Sequence, residues 1–245
     1  MSARFGEESA RRLRRIVPLV TMGVLLILAS YSAVTLVSDP QFRPSAGYDY
    51  GIYRDAAARW LQGGFFYYPE QVAGPYYTLS GHVMYPPPML LLFVPFTILP
   101  AVLWWTVPIG IIAGRVVELR PSLWAWAGIA ACLAWPMTVE LVFTGNPLLW
   151  IVACMALATR WPWTSALIFA KPSLFPFALF GIRDRRWWLA LVASGLASAL
   201  FLPMWPDWIH AVLNARGPYS GVFYSLKDVP MMAIPLVAFI GRARA

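Results

Sequence analysis

Few side chains in this sequence suit acid–base or electrostatic chemistry, and Asp49 is the most suggestive of them. It heads a run, residues 49–62, in which Tyr53, Ala56, Ala57, Trp60 and Leu61 recur at helical spacing while Arg54, Asp55, Arg59 and Gln62 fall on the other face. That pattern predicts a helix lying in a membrane interface, with Trp60 and the arginine stems at headgroup level. A carboxylate at its start has two uses. It can be an N-cap accepting backbone N–H bonds, or a general base that reaches a substrate hydroxyl from a partly desolvated position. Lys171 is the second candidate, an ammonium inside the apolar stretch 163–182, flanked by Ala170 and Pro172. On insertion scales such a charge costs about 2.5–3.5 kcal/mol, so it faces a cavity or a partner. Glu140 is one candidate partner, and the carbonyl freed by Pro172 is a local acceptor. His82, three residues before Tyr85, and His210, in Trp205-Pro206-Asp207-Trp208-Ile209-His210, can donate to an anion, assist a base, or simply be solvated. Arg54 and Arg59 suit either a specific lipid phosphate or ordinary headgroups. Asp207 reads as the N-cap of a short interfacial helix rather than as a second catalytic carboxylate.

Metal and nucleotide chemistry find little support. Two separated histidines and two cysteines, Cys132 and Cys154, both in apolar stretches, do not make a zinc site or a disulfide framework. Asp49 with Asp39 or Asp55 is the one acidic grouping that could in principle hold a divalent cation. The chain carries no P-loop or dinucleotide fingerprint.

The elements that must position these residues are set by composition. Of 245 residues, 60% are hydrophobic and 12% charged, where a soluble domain carries about a quarter charged. The charges are clustered between long uncharged runs, which predicts an all-α, polytopic membrane helix bundle. The net charge of +8 is therefore not a nucleic-acid footprint. Arg4, Arg11, Arg12, Arg14 and Arg15 precede the first run, and Arg183, Arg185, Arg186, Arg242 and Arg244 mark later boundaries, as the positive-inside rule and anionic lipid contact require.

Apolar runs fall at residues 16–37, 87–99, 101–117, 122–139, 146–159, 163–182, 187–202 and 229–240. The first is longer than a signal-peptide core and no A-x-A cleavage site follows, so it is expected to be a retained helix. Residues 87–117 either cross once or turn at Pro100 and cross twice. The second option places all three arginine clusters on the cytoplasmic side, at the cost of leaving Arg115, Arg120 and Arg160 outside. It gives about eight transmembrane helices in one domain, residues 1–245, with both termini inside. Two outer loops follow, residues 38–86 with the amphipathic helix and residues 203–228 with Tyr219, Tyr224 and Lys227.

The pattern Asp49-x-x-x-Tyr53-x-x-Ala56-x-x-x-Trp60-Leu61-x-Gly63, followed by Tyr68-Pro69 and Tyr85-Pro86-Pro87, resembles the first loop of glycosyltransferase family 87. The resemblance continues through Leu90-Leu91-Leu92, Leu99-Pro100, Gly145-Asn146-x-Leu148-Leu149, Ala170-Lys171-Pro172 and the basic turn 183–188, nearly the whole chain. Asn146 stands where the family often has Gln. The resemblance implies a GT-C-type enzyme of the bacterial plasma membrane with its active site at the outer face. It would move a hexose, commonly mannose, from a polyprenyl-phosphate donor to a lipid or glycan acceptor with inversion, using no cofactor and no metal. Asp49 would be the base. Lys171, with His82 or His210, would support the leaving phosphate. Arg54, Tyr53, Tyr68, Tyr85 and Asn146, with Tyr67, would border the substrate. The family's members are usually longer, which leaves room for a protein partner. The rival from another class is a non-catalytic membrane protein, a transporter or an accessory subunit.

Overall fold

Many breaks in helical geometry here fall at prolines, although Pro18, Pro108 and Pro235 are accommodated inside helices. The chain has 22 prolines, and each removes a backbone donor and restricts the residue before it. The computed structural model describes residues 2–38, 45–78, 81–217, 220 and 222–243, and it is 78% helix and 3% strand. Asp39, Tyr219 and Arg244 lie outside the described residues, as do the side chains of Arg4, Arg11, Arg14 and Tyr224.

Helix α1 (Ser2–Ser38) is long, and its stretch Arg15–Ser38 has 24 residues at a mean hydropathy of 2.1. At about 1.5 Å per residue it exceeds the roughly 30 Å of a bilayer core. It packs along one side only, and Ile27 and Tyr31 stand more than two-thirds exposed, an apolar surface that a membrane would cover. The polar stretch that follows holds α2 (Tyr48–Leu61), α3 (Pro69–Ala73) and the short strand β1 (Tyr76–Tyr77). Next come a proline-rich segment, Pro87–Thr97, built from 3-10 turns around α4 (Leu90–Phe93), and then α5 (Val102–Leu119), the second helix long and apolar enough to cross a membrane. Helices α6 (Leu123–Ala134) and α7 (Pro136–Thr144) meet at a 64° bend, because Pro136 forces Trp135 into an extended conformation. Helix α8 (Leu148–Ala158) is followed by a 3-10 segment, Pro162–Ala170. The returning stretch Pro172–Gly181 contains α9 (Phe175–Ala178). Helix α10 (Arg185–Ala199), the turn at Pro203, α11 (Trp205–Asn214), β2 (Ala215–Arg216), the 3-10 segment Val222–Asp228 and α12 (Val229–Ile240) complete the order. If each bent pair is one span, up to four spans meet the length test.

The two polar stretches are joined. Strand β1 pairs in parallel with β2, Tyr76 Oη donates to the Ala211 carbonyl (2.8 Å), and Asn214 Nδ2 donates to the carbonyls of Gln71 and Val72. Beneath them, two apolar clusters form the core. One, around Tyr53, Tyr85, Phe93 and Trp104, backs α2; the other, around Leu149, Val152, Met155 and Met232, fills the space between α5, α8 and α12.

The turns sort to two ends of this bundle. At one end Arg115 donates to Thr159 (3.0 Å), Arg160 pairs with Glu118 (3.3 Å) and Pro121 bridges Arg242. At the other, the Gly47 N–H donates to the Phe143 carbonyl (3.0 Å) and Trp135 Nε1 to the Lys227 carbonyl (3.2 Å). Helices α5, α6, α8 and α12 run between the two ends.

This corrects the reading in which residues 87–117 cross twice. Pro87–Thr97 starts beside Tyr85 and finishes with Phe96 edge-on to Trp104 (4.8 Å), whose indole donates to the Gly145 carbonyl (2.7 Å). Both of its ends stay at the Gly47 end. A segment whose two ends lie at the same end of the bundle returns to the side it left. Arg115, Arg120 and Arg160 accordingly share an end with Arg242, rather than facing it across the bundle.

Candidate active site

Asp49 is placed by its neighbours rather than by its helix. Gly47 occupies the N-cap position in a left-handed conformation (φ 67°) with no side-chain cap, and its N–H is tied to α7. The N-cap reading of Asp49 is therefore corrected: the residue sits inside the first turn of α2. Its Oδ2 accepts from Asn146 Nδ2 (2.7 Å) and Thr144 Oγ1 (3.0 Å). Burial pushes this carboxyl above its ordinary value of 3.8. The bonds from Asn146 and Thr144, and the charges of Lys171 and Lys227, pull the other way without cancelling the shift.

Asn146 is held in turn. Gly145 ends α7 at φ 71°, where a Cβ would stand 2.5 Å from the Trp105 ring, and this turn projects Asn146 toward α2. Asn146 Oδ1 accepts the Leu148 N–H (3.0 Å) and the Tyr85 hydroxyl (3.3 Å), which fixes its amide with the nitrogen toward Asp49. The residue thus orients the carboxylate as well as bordering the cleft.

Lys171 lies in the break between Pro162–Ala170 and Pro172–Gly181, pushed out of helical geometry (φ −124°, ψ 87°) by the proline that follows. Its Nζ meets Asp228 Oδ2 at 2.7 Å, both side chains almost wholly buried, and lies 5.5 Å from the Tyr85 ring centroid. The expected partner Glu140 lines the same cavity, but the ion pair is with Asp228.

These residues enclose a cleft of about 350 Å³. Asp49, Tyr53, His82, Tyr85, Glu140, Asn146, Lys171, Lys227 and Asp228 all line it. Such a volume lies at the lower end of small-molecule pockets. Tyr53 stacks on Phe93 (4.8 Å) and stands edge-on to Tyr85, giving one wall an aromatic face. His82 is largely buried, edge-on to Tyr76 at 4.7 Å. Its Nδ1 has no hydrogen-bond partner among the described residues, while Nε2 is 3.9 Å from Glu70. No family model matches the chain. Nor does any curated protein or solved structure.

Several expected contributors lie elsewhere. His210 is exposed on α11 and does not line the cleft. Arg54 is exposed, chelating Asp55 through two nitrogens (2.8 and 3.0 Å). Tyr68 lies under the Arg59 guanidinium (4.3 Å), outside the lining, because the chain turns at Gly63 and Gly64 and carries it away from Asp49. Tyr67 is a buttress: its hydroxyl donates to the Tyr85 carbonyl (2.8 Å). Leu61, expected on the buried face of α2, is 53% exposed at the helix end, and Tyr50 is buried instead. Asp207 stands in the first turn of α11, whose N-cap is Met204. Among the described residues no three His, Cys, Asp or Glu side chains gather as a metal site.

Asp228 and Thr144 are the participants that sequence reasoning missed, whereas Lys227 was named in the second outer loop. The signal for Asp228 was present: a Lys-Asp pair directly before an apolar run beginning Val229-Pro230.

A second, apolar groove of about 750 Å³ adjoins the cleft, between Pro87–Thr97, α8, Pro162–Ala170 and α10. Pro86 and Pro172 are on its wall, each the chain neighbour of a cleft residue, Tyr85 and Lys171.

Proposed function

We propose that this chain is a GT-C-type membrane glycosyltransferase, resembling family 87, which transfers a hexose, mannose foremost, from a polyprenyl-phosphate donor to a lipid or glycan acceptor. The observation that carries the reading is Asp49. It is a half-buried carboxylate, oriented by two side-chain hydrogen bonds, in a polar cleft with two lysines and beside an apolar groove. The cleft suits a sugar and its phosphate, and the groove suits an isoprenoid chain.

In this mechanism Asp49 takes the proton of the acceptor hydroxyl. The acceptor oxygen forms a bond to the anomeric carbon as the bond from that carbon to the phosphate oxygen breaks. The electron pair leaves with the lipid phosphate on the opposite face, so configuration inverts. Cationic and hydrogen-bonding support for the departing charge lowers the barrier. Lys171 and Lys227 are the cations at hand, and Tyr53 and Tyr85 offer rings to the sugar.

We place the enzyme in a bacterial plasma membrane with both termini cytoplasmic. Eight passes follow if α1, α5, α6 with α7, α8, Pro162–Ala170, Pro172–Gly181, α10 and α12 each traverse, the two proline-rich arms as a short hairpin meeting at Lys171. Every basic turn then falls on the cytoplasmic side, including Arg115, Arg120 and Arg160, and the cleft opens outward.

The test is transfer from radiolabelled polyprenyl-phosphate mannose by the purified chain in proteoliposomes. Wild type should release polyprenyl phosphate, and Asp49→Asn should bind donor while losing at least about a hundredfold in turnover. Undiminished turnover in Asp49→Asn would remove this residue from the chemistry.

A further inference from the structure

We propose that Glu140 determines acceptor specificity: its carboxylate accepts from hydroxyls of the acceptor next to the one that Asp49 deprotonates. The acceptor's reacting end is then a neutral polyol, such as a hexose, rather than an anion. The proposal rests on the glycosyltransferase reading and names the acceptor chemistry within it.

Helix α7 presents one stripe to the cleft. Met137, Glu140, Leu141 and Thr144, spaced i, i+3, i+4 and i+7, all line it. Thr144 is the residue that donates to Asp49 (3.0 Å), so Glu140 stands one turn, about 6 Å along the axis, from the anchor of the base. Together α6 and α7 make a bent apolar pair of span length, where a carboxylate is costly unless it faces water, a partner or a ligand. Asp49 and Asp228 have their partners. Half-buried Glu140 accepts no hydrogen bond and joins no ion pair among the described residues. Its oxygens are not sealed off as His82 Nδ1 is, so a molecule in the cleft can reach them.

Hydroxyls suit such a group. An ionised carboxylate only accepts, and its bonds from O–H donors are charge-assisted, roughly twice as strong as neutral ones. A polyol that gives one hydroxyl to Asp49 can give its neighbours to Glu140 while its ring lies against Tyr53 and Tyr85, which line the same cleft. Charge points the same way. The Lys171–Asp228 pair is neutral in itself. Beyond it, the acidic and lysine side chains of the described lining are Asp49, Glu140 and Lys227. An anion seated between α2 and α7 meets two carboxylates, a repulsion that a neutral polyol does not feel. The lysines belong to other elements, so the donor's phosphate is met by charge of the opposite sign from the rest of the cleft.

The probes are hexyl α-mannoside, which is neutral, and hexyl α-mannosiduronate, which carries a carboxylate on the same ring. Each is titrated into the full chain in phosphatidylcholine nanodiscs, with empty nanodiscs as the blank. Wild type should bind the mannoside at least about tenfold more tightly than the uronate. Glu140→Gln should weaken the mannoside by about tenfold, as loss of a charge-assisted hydrogen bond does, and leave the uronate unchanged or tighter. Glu140→Asp keeps the charge and should keep the preference. Unchanged mannoside affinity in Glu140→Gln overturns the proposal, whatever the uronate does. So does equal loss of both probes, which marks a packing role, and so does a preference lost in Glu140→Asp, which assigns it to shape. Wild type that ignores the mannoside, or binds both probes alike, overturns it too. The two readings fail separately. A Glu140-dependent mannoside preference without release of polyprenyl phosphate sinks the transferase, whereas transfer to the mannoside by Glu140→Gln with an unchanged acceptor KM sinks the specificity role.

Discussion

Asp49 shows how a single carboxylate is tuned by what surrounds it. Burial raises its pKa, and Asn146 and Thr144 restrain the rise by donating to the ionised form. A base must be deprotonated to act, so turnover should fall as pH drops through a value above 3.8, the ordinary one for this side chain. Thr144→Val removes a bond that favours the ionised form, and the acid limb of kcat against pH should then move to higher pH. A limb that stays in place or moves down would show that Thr144 does not set the base. Asp49, at the head of an amphipathic run, and Tyr85, where the chain turns apolar, were legible as candidates in the sequence, and Asn146 only through the family resemblance. That Asn146 grips Asp49 was not. The bond joins residues 97 apart, and only the left-handed turn at Gly145 brings them together. Replacing Gly145 by Ala should test that turn. A Cβ would press on Trp105 at 2.5 Å and on Tyr50 at 3.0 Å, at a φ that alanine disfavours. A fall of about 2–4 kcal/mol in unfolding stability is expected from strain plus overpacking. The same shift of the turn should pull the Asn146 amide away from Asp49 and lower turnover.

At the level of elements, the chain is governed by where prolines fall. The apolar runs announced themselves by composition, but their lengths misled, because residues 87–99 and 163–182 read as spans and are broken ones. Pro172 is the instructive case. It expels Lys171 from the helix, and the expelled ammonium reaches the start of α12, where Asp228 waits. No pattern within either segment foretells that pairing, since it depends on how the segments pack. It does imply an asymmetry that can be measured. Asp228→Asn leaves a buried ammonium without its counter-ion and should cost about 3–5 kcal/mol, whereas the double change Lys171→Met with Asp228→Leu removes both charges and should recover most of that loss. Unfolding in a mild detergent, followed by tryptophan fluorescence, compares the two. A double variant as unstable as the single one would mean that the pair fixes the fold itself, not only the balance of charge.

Across the whole molecule, the ends of the bundle differ in kind. One carries Arg115, Arg120, Arg160 and Arg242 in turns that touch each other, and the other carries two joined polar stretches over an acid-and-lysine cleft. The positive-inside rule, applied to the sequence, left three arginines on the wrong side because Pro87–Thr97 was counted as a crossing. Returning that segment to the cleft's side brings those three arginines over to the N-terminal cluster, and Arg183, Arg185, Arg186 and Arg242 join them if residues 163–182 pass twice, as proposed above. The consequence is open to direct measurement. With Cys132 and Cys154 replaced by Ala, single cysteines at Arg120, Arg160 and Arg242 should resist an impermeant maleimide applied to intact cells and label after permeabilisation. Cysteines at Gln62 and Gly217, in the two joined stretches, should label before it. If positions 120 and 242 label from opposite sides, the packing of the α5–α6 turn against the end of α12 does not exist in the membrane. If both label from outside while 62 and 217 label only after permeabilisation, the cleft faces the cytoplasm, and a donor presented at the outer surface could not reach Asp49.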